Sequence, residues 1–132
     1  MSRENVEFVQ DGFSALGRGD FESFLAMLGQ EVEWVNPAYA IEPGTRRGID
    51  GFRDALDQLR ASFGDVRPEV LEMLDAGDGV VVVGRWRGEG TGSGLPIEAT
   101  FSSVVTVQGS QIVRYEWFRK KAEALAAVGL SE

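Results

Sequence analysis

The feature that most constrains this chain is a change of hydrophobic period near its midpoint. Up to residue 64, apolar side chains recur every three or four residues; beyond it they alternate. The alternating runs are separated by Ala76-Gly77-Asp78-Gly79, Thr91-Gly92-Ser93-Gly94 and Gln108-Gly109-Ser110, each short enough to join antiparallel neighbours. Strands are therefore expected at 66–75, 80–90, 95–107 and 111–118. Helices first and a meander afterwards define an α+β domain, and 132 residues suffice for one domain spanning 1–132.

The first half reads as three helices interrupted by a strand. Ser2 can cap a helix bearing Val6, Val9, Phe13 and Leu16, which Gly17-Arg18-Gly19 ends. Asp20 can cap a short second helix with Phe21, Phe24, Leu25 and Leu28, closed by Gly29. Val32 to Val35 is a strand candidate, stopped by Asn36-Pro37 because proline cannot donate into a ladder. Ala38 to Gly48 is a loop with room for one short strand. Asp50 can cap a third helix with Phe52, Ala55, Leu56, Leu59 and Phe63 on one face, ended by Gly64. A terminal helix is expected over Lys120 to Val128.

Composition removes whole classes of chemistry. With no cysteine there are no disulfides, thiolate metal sites or Cys nucleophile; with no histidine there is no Ser-His-Asp triad and no imidazole ligand. No metal and no cofactor are expected. Thirteen basic against 21 acidic residues leave a net charge of −8, which argues against nucleic acid. The longest aliphatic run, Val80 to Val83, is far too short to span a bilayer. The N-terminal residues lack the basic start and apolar run of a secretory signal, so the expected setting is cytoplasmic.

Several local pieces, in this order, resemble the SnoaL-like branch of the nuclear transport factor 2 and ketosteroid isomerase superfamily. They are Gly19-Asp20-Phe21, Val32-Glu33-Trp34-Val35-Asn36-Pro37, Thr45-Arg46-Arg47-Gly48-Ile49-Asp50-Gly51-Phe52, Arg85-Trp86-Arg87-Gly88 and Gly109-Ser110-Gln111-Ile112-Val113-Arg114. The resemblance covers essentially the whole chain. It implies a cone-shaped roll: a strongly curved, mostly antiparallel sheet wrapped around three N-terminal helices, plus a short C-terminal helix. It also implies a pocket at the open end for one small molecule, and homodimers through the sheet.

The superfamily's enzymes set residue requirements that this sequence does not meet. The isomerase's carboxylate base would fall on Asn36, its helical Tyr near Gly12 and its buried acid near Ser103. The cyclase pairing of Asp with His has no histidine to use, and no Asp-Arg-Asp set aligns for epoxide hydrolysis. The series Gly88, Gly90, Gly92 and Gly94 sits between strands, so it is no phosphate loop.

What remains is a polar and aromatic set on the inward strand faces. Alternation groups Val113, Tyr115, Trp117 and Arg119 against Arg114 and Glu116. Phe101, Ser103, Val105 and Val107 share the inward face of the preceding strand; Trp86 goes with Val80, Val82 and Gly84, assigned inward, whereas a one-residue slip would put Arg85 and Arg87 inside instead. Trp34 and Tyr39 belong near the mouth, and Asn36, at the polar-Pro corner, is either a turn former or a pocket hydrogen-bonding group. The candidate ligand-binding residues are thus Trp34, Asn36, Tyr39, Trp86, Ser103, Tyr115, Trp117 and Arg119. Glu42 or Glu98 could pair with Arg119. The expected partner is a small apolar or weakly acidic organic ligand, bound either by a cofactor-independent enzyme or by a non-catalytic binding domain, in a homodimer.

Overall fold

The computed structural model describes residues 2–64, 66–89 and 96–130. The expected Ser2 cap, the Phe63 side chain and the turn at 91–94 lie outside the described residues. Helix α1 spans Ser2–Gly17 and helix α2 Phe21–Leu25. Asp20 caps α2: its Oδ1 accepts from the Ser23 N–H at 3.2 Å and its Oδ2 from the Ser23 hydroxyl at 2.6 Å. These bonds hold the Asp20 carboxyl below its usual pKa. The second helix is shorter than its pattern suggested. Leu28 and Gly29 instead open strand β1, Leu28–Asn36. The turn before it is fixed by the Ile112 N–H, which donates to the Met27 carbonyl at 2.9 Å.

The loop after β1 does hold a short strand, β2 at Gly44–Arg47, antiparallel to β1. Helix α3 runs Gly48–Phe63, so Asp50 lies in its first turn and Arg47 takes the cap position. Gly64 closes it with φ of +82°, a conformation costly for any residue with a Cβ. The meander follows: β3 Arg67–Ala76, β4 Gly79–Glu89, β5 Pro96–Gln108 and β6 Gln111–Phe118. The two-residue loop Gly109-Ser110 has positive φ at both residues, 57° and 60°, the conformation that matches strand twist in a tight hairpin.

The six strands form one sheet in the order β2-β1-β6-β5-β4-β3. All neighbours are antiparallel except β1 and β6, which run parallel and join the two halves of the chain. Helices α1 and α3 pack on β3 and β1. The buried core between helices and sheet includes Val9, Phe13, Phe24, Phe52, Val80, Val82, Phe101, Val105 and Ile112. A register shift in β3 between Val70 and Glu72 bends the sheet opposite Gly84. A Cβ at Gly84 would stand 2.5 Å from the Glu69 carbonyl oxygen and 3.0 Å from the Phe101 ring, so only glycine fits there.

Helix α4, Lys121–Ala127, returns to the outer face of the sheet. Its Ala124 and Leu125 bury Val81 and Val104, with Leu74, Val83 and Phe118 at the margin. This end of the outer face is therefore covered by the chain itself. Beyond it the outer face is ionic: Glu69 binds Arg85 at 2.6 Å and Arg87 at 3.2 Å, and Glu98 binds Arg85 at 3.2 Å. Among the described residues, no helix is long and apolar enough to cross a membrane.

Candidate ligand cavity

Alternation along β1, β4, β5 and β6 sends one side of each strand to the inside of the curve. On β6, Tyr115 is buried and Trp117 half-buried, while Arg114 points outward to Glu33 at 3.8 Å and Glu116 at 3.6 Å. On β4, Trp86 shares the inner side with Val80 and Val82, and Arg85 and Arg87 belong to the outer ionic face. A cavity of about 390 Å³ opens on this inner side. Trp34, Trp86, Phe101, Tyr115 and Trp117 form its aromatic walls, Leu59 of α3 faces them, and Ala99, Thr100, Phe118 and Arg119 complete the lining. The three tryptophans of the chain thus all line one cavity. A wider depression of about 460 Å³ between α1 and β3 is an open surface groove with Gln10, Ser14 and Glu72 in its lining. It lacks the concave aromatic wall that holds a small molecule.

The walls are fixed by ring contacts and by one amide. Trp34 packs on Tyr115 with centroids 4.7 Å apart and edge-on to Phe52 at 5.0 Å; Trp86 packs on Phe101 at 5.3 Å. Asn36 does not line the cavity but stands behind it. Its Oδ1 accepts from the Trp34 indole N–H at 2.7 Å and from the Trp117 indole N–H at 2.6 Å. Its Nδ2 donates to the Glu42 carbonyl at 2.9 Å, tying the β1–β2 loop to the same point. Two indoles, one on β1 and one on β6, are clamped by one oxygen, and that oxygen lies 81 residues before Trp117 in sequence.

Tyr39 also stays outside the cavity. It straps the loop to the start of α4: its hydroxyl accepts from the Arg119 backbone N–H at 2.8 Å and donates to Glu123 Oε1 at 3.2 Å. Its ring stands edge-on to Trp117 at 6.2 Å, and burial raises its phenol pKa. The Arg119 guanidinium lies 4.6 Å from the centre of the Tyr39 ring, at the cavity mouth. The carboxylates expected to pair with it are engaged elsewhere, Glu42 with Arg46 at 3.1 Å and Glu98 with Arg85. No ion pair of Arg119 occurs among the described residues.

Ser103 is wholly buried on β5, opposite Trp117 and beside Tyr115, and it is not part of the cavity lining. Its hydroxyl meets no partner in good hydrogen-bonding geometry. It is near enough to the Tyr115 phenol to oppose, weakly, the strong upward push that burial gives that group's pKa. Tyr115 is therefore a neutral hydroxyl at any ordinary pH. No carboxylate lines the cavity, and no cluster of three metal-ligating side chains occurs among the described residues. What the cavity can do is stack on a flat apolar body, donate hydrogen bonds from its wall and attract an anion at its mouth.

Residues 9–115 match the model of the SnoaL-like domain family. The chain belongs to that family. No functionally curated protein matches the SnoaL-like chain. Its fold is shared with many solved structures. One is an NTF2-like protein from Burkholderia thailandensis E264, 27% identical, with a TM-score of 0.74 over 93% of this chain and 95% of the other. TerC, co-crystallised with polyporic acid, is 23% identical, with a TM-score of 0.74 over 94% of this chain and 97% of the other. A candidate SnoaL-like polyketide cyclase from Jannaschia sp. CCS1 is 18% identical, with a TM-score of 0.76 over 99% of this chain and 95% of the other.

Sequence reasoning missed Leu59, Ala99, Thr100 and Phe118 as lining residues. Leu59 carried a signal, the apolar face of α3, but that face reads equally as core. The three others lie at the open ends of β5 and β6, where period alone does not say what is concave.

Proposed function

We propose that this SnoaL-like domain binds one small, flat, apolar or weakly acidic organic molecule in the cone, without catalysing proton transfer. The observation that carries this reading is the aromatic cavity of about 390 Å³, walled by all three tryptophans and free of any carboxylate among the described residues. That volume falls in the range of small-ligand sites. An isomerase of this architecture would need a base where Asn36 stands, and the Asn36 amide is spent on two indoles and a carbonyl. Arg119 at the mouth supports a preference for ligands with an acidic edge. A cytoplasmic setting and a homodimer belong to the same proposal. The sheet surface left for a second copy is the ionic face of β3, β4 and β5. Light scattering tests the dimer: a mass of twice 14.4 kDa at micromolar concentration supports it, and 14.4 kDa alone overturns it.

Calorimetric titration with 1-naphthoic acid tests the binding site. Trp117→Ala should weaken the acid roughly tenfold or more, because it removes one wall. Arg119→Ala should weaken 1-naphthoic acid while leaving naphthalene unchanged. Equal affinity of wild type and Trp117→Ala for both probes would overturn the cavity as the site.

A further inference from the structure

The mouth of the cavity carries a cation and a ring that holds it. Arg119 follows the last strand, lines the cavity and is exposed. Tyr39, on the loop between β1 and β2, does not line the cavity but fixes Arg119 at two levels. Its hydroxyl accepts from the Arg119 backbone N–H at 2.8 Å, and the centre of its ring lies 4.6 Å from the guanidinium carbon. A guanidinium stacked on an aromatic ring is held through its face. Its N–H donors lie in its plane and point outward from the edge, so a carboxylate can still bind them. A free arginine side chain loses rotamer freedom when it binds an anion; one already stacked has less to lose.

Two carboxylates near this cation are each engaged by another partner. Glu42, on the same loop as Tyr39, is tied to Arg46 at 3.1 Å, and Arg46 is tied to Gln58 of α3 at 2.6 Å. Glu123 of α4, four residues beyond Arg119, is tied by Tyr39 itself. Its Oε1 accepts from the Tyr39 hydroxyl and from the Lys120 backbone N–H, both at 3.2 Å. Arg119 has no ion pair among the described residues. Tyr39 thus stacks its ring on the cation and engages with its hydroxyl a carboxylate that would otherwise neutralise it.

We propose that Tyr39 is the positioning residue for acid recognition: it holds Arg119 at the mouth and keeps Glu123 off it. Resting on the binding reading above, this role names the ligand class and its direction. The ligand is an aromatic monocarboxylate that enters body first, with its rings among the tryptophans and its carboxylate left at the mouth against Arg119. Among the described lining residues Arg119 is the only charged one, so a carboxylate turned inward would be buried without compensation.

1-Naphthoic acid and 1-naphthamide test this at neutral pH, where they are alike in shape and differ in charge. The acid-to-amide affinity ratio, read by calorimetry, should be about fivefold higher in wild type than in Arg119→Ala, the upper range for an exposed ion pair. Tyr39→Leu removes ring and hydroxyl and should bring the ratio most of the way to the Arg119→Ala value, with amide affinity close to wild type. Tyr39→Phe keeps the ring and releases Glu123, so the ratio should fall there too. Glu123→Gln should then raise the ratio more in Tyr39→Phe than in wild type. A Tyr39 of purely structural role would weaken both probes together and leave the ratio where it is. A wild-type ratio in Tyr39→Leu, or equal effects of Glu123→Gln with and without the Tyr39 hydroxyl, overturns the positioning role and leaves the cavity standing. A wild-type ratio no higher than that of Arg119→Ala overturns acid recognition and the role of Tyr39 together. Failure of both probes to bind wild type overturns the binding reading with them.

Discussion

Replacing Asn36 with alanine should unfasten the cavity from behind. The substitution removes the acceptor of the Trp34 and Trp117 indole N–H groups, at 2.7 and 2.6 Å, and the donor to the Glu42 carbonyl at 2.9 Å. Each such bond contributes about 1 kcal/mol net, so the loss is about 3 kcal/mol. Water can reach the half-buried Trp117 and recover part of its share; it reaches the buried Trp34 less easily. A chain of 132 residues has an unfolding entropy of about 0.28 kcal/mol/K near its midpoint, so the melting temperature should fall by about 10 °C. Calorimetry reads the fall, and tryptophan emission reports the released indoles. Asn36→Asp keeps the acceptor, so its indole emission should stay close to wild type. A melting point for Asn36→Ala within about 2 °C of wild type, with unchanged emission, would refute the clamp.

Three further outcomes follow from particular contacts. Gly84→Ala pushes a Cβ to 2.5 Å from the Glu69 carbonyl, which only a backbone shift relieves, so denaturant unfolding should show a loss of about 1–3 kcal/mol; an unchanged midpoint would mean the bend is slack. Arg85, and then Arg87, hold Glu69 below its ordinary pKa of 4.5. A depressed folded-state pKa stabilises above the unfolded value and is lost as pH falls through the folded one. The stability difference between wild type and Glu69→Gln should therefore be present at pH 7 and vanish below pH 4.5, and a difference that grows on acidification would refute the assignment. Neither wild type nor Asn36→Asp should turn over a Δ5-ketosteroid above the buffer rate, because no helical Tyr or buried acid accompanies that position; turnover by either, read from ultraviolet absorbance, would contradict this.

Much of the fold is legible in the chain because its signals are local. Gln111 to Phe118 is a strand with the predicted ends, since the Gly109-Ser110 turn and the alternation agree. Gly64 ends α3 for a reason contained in one residue. The second helix was read too long because Phe24, Leu25 and Leu28 suit a helix, whereas the bond from Ile112 to Met27 draws Leu28 into the sheet from 84 residues away. The site follows the same division. Alternation groups Tyr115 with Trp117 on one face, and the resemblance to the family is what turns that face inward. The work of Asn36 depends on Trp117, and that of Tyr39 on Arg119 and Glu123, all distant in sequence. The cover that α4 gives Val81 and Val104 was likewise invisible, because a helix rich in alanine does not announce which surface it meets.

A ligand seated in the aromatic cavity would be directly observable, because of the composition of the chain. The three tryptophans are Trp34, Trp86 and Trp117, and all line the cavity. A ¹⁵N-labelled sample therefore has three indole N–H resonances, each reporting on one wall. On titration with 1-tetralone, all three should shift together and saturate along one binding curve. Shifts confined to backbone amides of the α1–β3 groove, with the three indole resonances unmoved, would contradict the account.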